Sequence, residues 1–433
     1  MSTAPDAPDS GGFDRSYWRR WPVLGAGALI LAVIVAVALG VGGGDDGERQ
    51  GRENPGTSST TGEGAAGSGA ADGPGGDAGS STTVPSGAAG GGGVAGSDPN
   101  SPAGSGAGAD SGRPGTIAFA SRRFGTPGIF IVTDEGTGER RLTAAQGEYF
   151  TPAWSPDGRQ IAFASRRAGN TDIYVVSADG RGERRLTTNA GNDFDPAWSP
   201  DGKRIAFTGQ RGPDGAETTP GKANADLYVV DATGGDERRL TDSPDDEITP
   251  TWSPDGTQLA YTRSGTAAAI WVIGGDGSGA RALVGTPGQN LAPVWSPDGS
   301  RLAFVSTRRG NSDIFVAAAD GTGVRALTTD PGEDLAPAWS PDGRRLAYIS
   351  ARNADRDVHV VDADGRNDHA VAANRSEEAN PVWSLDGTRI AFVSDRDGTR
   401  HVYSVTPEGV SLRLLTEGPG PDFDPRWRPF DSR

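Results

Sequence analysis

One pentapeptide recurs along most of this chain and constrains its fold more than any other feature. WSPDG begins at Trp154, Trp198, Trp252, Trp295 and Trp339, becomes WSLDG at Trp383, and leaves its tryptophan alone at Trp427. The intervals are 44, 54, 43, 44, 44 and 44 residues. Nine residues past each of the first six tryptophans stands an aromatic (Phe163, Phe207, Tyr261, Phe304, Tyr348, Phe392) inside an IAF-like run, and Ile117-Ala118-Phe119 adds a seventh such run at the start. A DIYVV-like run and an RLT-like run complete each unit. Self-similarity at a period of about 20–50 residues is the mark of a repeat architecture, in which each unit buries its apolar faces against its neighbours.

Each landmark reads as a short strand. The IAF and DIYVV runs are four to six residues long, apolar, and rich in β-branched and aromatic residues, too short for helices and buried on both faces. SPDG is a turn: proline presets φ, aspartate tolerates the next position, and glycine closes it. Four antiparallel strands per unit, repeated radially, make a β-propeller blade. Counting gives seven blades. The first unit lacks its inner strand, and the last inner strand, around Trp427, lacks the rest of its blade. The expectation is therefore velcro closure, with Phe423–Arg428 completing the blade begun at Thr116 and removing the exposed edges.

The same residues resemble a known family. The unit PxWSPDGxxIAFxSxRxGxxDIYVxxxDGxxxRLT is similar to the TolB-like, WD-like β-propeller repeat, over about 116–428. The resemblance implies the propeller fold, and the family's type member serves an envelope protein complex.

Ahead of the repeats the sequence changes character. Pro22–Val41 is 20 residues without a charge, the length of helix that matches a hydrocarbon core of about 30 Å. Tyr17, Trp18 and Trp21 suit an aromatic belt, and Arg15, Arg19 and Arg20 flank the N-terminal side, which orients the N-terminus to the cytoplasm. A cleaved signal peptide ending near Ala36-Val37-Ala38 is the competing reading; both export the rest of the chain. Residues 42–115 hold 25 glycines in 74 positions, with no aromatic, and cannot bury a core. The expected organisation is a cytoplasmic segment 1–21, a transmembrane signal anchor 22–41, a disordered linker 42–115 and the propeller 116–433. The expected location is the cell membrane, single-pass, with the propeller extracytoplasmic.

Composition narrows the chemistry. With no cysteine there is no thiol nucleophile, disulfide or cysteine-held metal. The formal charge is −16, which argues against nucleic acid. No G-x-S-x-G, H-E-x-x-H, P-loop or complete EF-hand loop occurs. His359, His369 and His401 fall on middle and outer strands, away from the channel. No catalytic residue and no cofactor are expected.

What remains is charge in register. Five residues before the tryptophans stand Tyr149, Asp193, Glu247, Asn290, Asp334, Glu378 and Asp422; four after the strand aromatics stand Arg123, Arg167, Arg211, Arg308, Arg352 and Arg396, with Gly265 in the fourth unit. One reading is a channel mouth (Asp193, Glu247, Asn290, Asp334, Glu378, Asp422) that captures a divalent cation or a basic peptide. The other is internal pairing of arginine with carboxylate once per blade. A second candidate is the insertion within Gln210–Asp226, whose Asp214, Glu217 and Lys222 would meet a partner. The function expected is a non-enzymatic protein- or peptide-binding or scaffold module of the cell envelope; the alternative is an enzyme acting on carbohydrate or peptide with a metal at the channel.

Overall fold

The computed structural model describes residues 115–429, apart from 126, 144–146, 212–223 and 354. The membrane anchor, the linker, and Asp214, Glu217 and Lys222 lie outside the described residues. Among the described residues no helix is long and apolar enough to cross a membrane.

The repeats form seven four-stranded antiparallel sheets. Blade 2 is typical: Tyr149–Trp154 is innermost, followed outward by Gln160–Ser165, Asp172–Ser177 and the short Arg184–Arg185. The inner strands of blades 3 to 7 are Asn192–Trp198, Glu247–Trp252, Asn290–Trp295, Asp334–Trp339 and Glu378–Trp383. Blade 1 closes the ring. Its inner strand is the chain's last, Asp422–Trp427, paired with Thr116–Ser121 through Ile117↔Trp427, Ala118↔Arg426, Ala120↔Phe423 and Ser121↔Asp422. The velcro closure expected from the offset units is the arrangement found.

WSPDG recurs because it builds one turn six times. In blade 2, Ser155 Oγ donates to Asp157 Oδ1 at 2.6 Å and accepts the Gln160 N–H at 2.9 Å, while Asp157 Oδ1 accepts the Arg159 N–H at 3.0 Å. The same serine–aspartate bond recurs at 2.6 Å from Ser199, Ser253, Ser296, Ser340 and Ser384. The turn glycine sits at positive φ, 65° at Gly158, where a Cβ would be strained.

The tryptophan fastens neighbouring blades. Its indole N–H donates to a backbone carbonyl of the preceding inner strand: Trp198 to Ala153 at 3.0 Å, Trp252 to Ala197 at 3.1 Å, Trp383 to Ala338 at 3.1 Å and Trp427 to Val382 at 3.1 Å. Trp154 makes this bond to Arg426 at 3.0 Å, across the closure. Arginines cover several of the rings, Arg301 at 4.7 Å from Trp339 and Arg345 at 4.9 Å from Trp383. These tryptophans are packing and inter-blade fasteners.

Candidate functional site

At the end of each blade where the second strand turns into the third, an arginine joins three parts of the blade. It lies over aromatics of those two strands: Arg167 is 3.8 Å from the Tyr174 ring centroid, Arg211 4.0 Å from Tyr228 and Arg396 4.8 Å from Tyr403. In most blades its N–H groups then reach the first turn of the inner strand. Arg123 donates to both carboxylate oxygens of Asp422, at 2.7 and 2.6 Å, and Arg211 to both of Asp193, at 2.9 and 3.0 Å. Arg396 donates to Glu378 at 3.0 Å and Arg308 to Asn290 Oδ1 at 2.8 Å. Glu139 and Glu237 give Arg123 and Arg211 a second carboxylate, and Glu183 gives Arg167 its one, in the blade whose inner strand begins with Tyr149.

Two blades vary the theme. Arg352 stands 4.0 Å from Asp334 and pairs more closely with Asp330 and Asp368, both at 2.8 Å. In blade 4, where Gly265 holds the loop position, Arg263 substitutes from the strand itself. It lies 4.6 Å from the Trp271 ring and reaches Asp245 at 2.9 Å and Glu247 at 3.7 Å. Residue spacing alone hid this replacement.

The structure brings Asp193, Glu247, Asn290, Asp334, Glu378 and Asp422 to one level, as their register implied. Their side chains are not the rim of an open mouth: none is more than 1% exposed. The aspartates among the first residues of the third strands are tied down likewise, Asp172 to Arg185 at 2.8 Å and Asp226 to Arg239 at 2.7 Å.

A different ring stands at one position on the innermost strands, those that surround the channel. Every inner strand contains a bulge, so that in blade 2 Thr151 and Pro152 together oppose one residue between the pairs Phe150↔Ala164 and Ala153↔Ala162. The residue three before the tryptophan of each strand is left-handed: Thr151, Asp195, Thr249, Ala292, Ala336, Asn380 and Asp424, with φ from 43° to 56°. The next residue is proline in all seven, which has no N–H to lose at a bulge. This ring is polar over blades 7, 1, 2, 3 and 4 and apolar over 5 and 6. Asn380 Nδ2 donates to Asp424 Oδ1 at 2.6 Å, joining blades 7 and 1. Burial, with the Asp424 charge adding to it, pushes Asp195 up to about 7. Sequence reasoning missed these residues; the signal was a non-uniform position beside a uniform proline.

Burial also pushes Asp334 up to about 7 and Asp313 to about 6, against an ordinary value of about 3.9. A carboxyl whose pKa is higher folded than unfolded binds protons on folding. Its contribution is complete below the unfolded value and is lost as the pH rises through 6 to 7. The domain is therefore expected to melt several degrees higher at about pH 5.5 than at about pH 8. Calorimetry across that range checks it, and a rise in melting temperature with pH would contradict these assignments.

The histidines do not meet. His359 Nδ1 lies 3.3 Å from Asp368 and His401 Nδ1 3.5 Å from Asp422, both buried, while His369 is exposed between the carbonyls of Asn367 and Pro407. Among the described residues no three histidine, cysteine or acidic side chains converge as a metal site.

Seven four-stranded blades closed by the last strand define the class: a seven-bladed β-propeller. Within it, the chain belongs to the TolB beta propeller domain family, whose profile matches residues 109–215 and 215–430. No curated protein matches the sequence. Among solved structures the chain is similar to TolB from Acinetobacter baumannii, with 23% identity over 62% of this chain and 66% of that one and a TM-score of 0.49. It is also similar to oligogalacturonate lyase from Vibrio parahaemolyticus, with 16% identity over 67% and 85% and a TM-score of 0.56. A puromycin-hydrolyzing peptidase of Mycobacterium tuberculosis gives 16% identity over 70% and 53% and a TM-score of 0.55. At these identities the likeness concerns the fold.

Proposed function

We propose that the protein is a membrane-anchored, extracytoplasmic propeller that binds a protein or peptide partner of the cell envelope and carries out no chemistry of its own. The partner contact lies on the loop rim of blades 3 and 4. One observation carries this placement. The second and third strands of blade 3, Arg204–Arg211 and Asn224–Asp231, pair over eight positions, where blades 1, 2, 4, 5 and 6 pair over six and blade 7 over five. At about 3.3 Å per residue the hairpin stands roughly 7 Å proud of its counterparts. In sequence, the segment with Asp214, Glu217 and Lys222 connects its two strands.

The neighbouring connection in blade 4 lacks the loop arginine found elsewhere, so two adjacent departures break the symmetry of the rim. A partner bound in one orientation needs such a break. In this reading the six residues at the start of the inner strands hold the rim in one shape through their arginines. Pro22–Val41 supplies the anchor and residues 42–115 the reach, roughly 50 Å r.m.s. as a coil. The TolB family lends the envelope setting by analogy of fold.

Deleting Pro213–Lys222 is expected to leave the melting curve unchanged while partner binding falls at least about tenfold, or about 1.4 kcal/mol. The partner is first captured by cross-linking the full chain in its native envelope, and its affinity is then measured with purified components. Full affinity in the deleted form would place the contact elsewhere.

A further inference from the structure

The ring at the bulges is not symmetric, and Thr151 and Asp195 on its polar arc each have an oxygen unpaired among the described residues. Thr151 is 7% exposed, yet its Oγ1 has no hydrogen-bond partner among the described residues. Its strand lies between the inner strands carrying Asp424 and Asp195 at the same bulge position. Asp195 Oδ1 is likewise without a partner. Asn380 commits its Nδ2 to Asp424, which leaves its carbonyl oxygen as an acceptor. Opposite the arc, Ala292 and Ala336 offer only methyl groups. A buried hydroxyl and a carboxylate oxygen left unpaired are costly to fold, and here both belong to one sector of one ring.

We propose that the arc Asn380–Asp424–Thr151–Asp195 binds a primary ammonium group, with Thr151 Oγ1 and an oxygen each from Asp195 and Asp424 taking its three N–H bonds. An ammonium carries three donors and no acceptor, and the arc offers acceptors. Two carboxylates, with the Arg426 charge already acting on Asp195, leave one negative charge for it to balance, and the burial that raises Asp195 is what a bound cation relieves. A divalent metal fits less well. Calcium takes six to eight oxygen ligands, and no three carboxylate or histidine side chains converge among the described residues. Arg426 lies two residues beyond Asp424 and donates to the Pro425 carbonyl at 3.1 Å. It stands where the other inner strands carry alanine, threonine or valine, and its charge acts on Asp195, so the two carboxylates have room in charge for a single ammonium. The ammonium can come from a lysine side chain or from a chain's α-amino terminus, and the two share this chemistry.

The site is separate from the loop rim, so its test is independent of the partner contact. The full chain, in detergent or nanodiscs, is titrated by calorimetry with Nα-acetyl-lysine methylamide, with triglycine amide, with tetramethylammonium and with calcium. Saturable binding is expected for at least one of the two primary ammonium probes, the tighter one naming the source. Tetramethylammonium, which has charge but no N–H, is expected not to bind. Asp195→Asn is expected to weaken the ammonium at least tenfold and Thr151→Val several-fold, with melting curves confirming that both variants fold. Calcium binding lost in Asp195→Asn without amine binding would replace the proposal with a metal site. Equal binding of tetramethylammonium, or no binding by any probe, would overturn it.

Discussion

Removing Phe423–Arg433 is expected to unfold the propeller, not merely to fray its end. The deletion takes the inner strand from blade 1, and with it nearly every pairing of that strand to Thr116–Ser121 and the Trp427 bond to blade 7. It also strands Arg123, 1% exposed, beside a single remaining Asp422 that has lost its strand. Removing one partner of a buried ion pair alone costs about 3–5 kcal/mol, and the lost apolar burial adds to this. Asp422→Ala in the full chain removes the carboxylate while keeping the strand, and takes the Thr416 hydroxyl bond with it, with an expected loss of about 3–5 kcal/mol. Arg123→Met with Asp422→Leu, which removes both charges, is expected to recover a good part of that loss. Denaturant melts of the three variants decide the matter; an unchanged midpoint in the truncated form would sink closure by the last strand.

The second large effect is expected at the repeated tryptophan. Trp339→Ala should cost about 3–5 kcal/mol, because the ring fills the seam between blades 5 and 6 and donates to the Val294 carbonyl at 3.2 Å. The contribution of that bond can be separated. Trp295 has the same place one blade earlier, but its indole nitrogen has no hydrogen-bond partner among the described residues. Trp339→Phe should therefore cost about 1 kcal/mol more than Trp295→Phe. Equal losses would mean that the bonds contribute nothing and that packing alone makes the tryptophan recur.

Much of this construction was legible in the residues. Trp154 to Trp427 counted the blades, and the orphan run at Ile117–Phe119 told how the ring closes. Spacing also put Arg211 within reach of Asp193, because a contact made once per blade appears in the sequence as two residue types keeping step. Which inner-strand residues make the ring at the bulges was not legible. Strand periodicity counted back from the tryptophan assumes a regular ladder, and the bulge at Thr151, Asp195 and their counterparts breaks it. The bulge is written only as a proline, which also occurs at turns and strand ends. The substitution of Arg263 for a loop arginine was hidden for a similar reason: it reaches the same carboxylate from two residues earlier.

The pairing of the chain's first repeat strand with its last has a mechanical side. Thr116–Ser121 is held between Gly128–Thr133 on one side and Asp422–Trp427 on the other. A pull on the chain ahead of Thr116 runs along this strand, loading the hydrogen bonds of both neighbours in shear, together instead of one after another. Load entering by that route meets the ring at its covalent gap, and the buried Arg123–Asp422 pair lies at the far end of the same strand as a latch. A domain held from that end resists extraction where a ring cut elsewhere would peel.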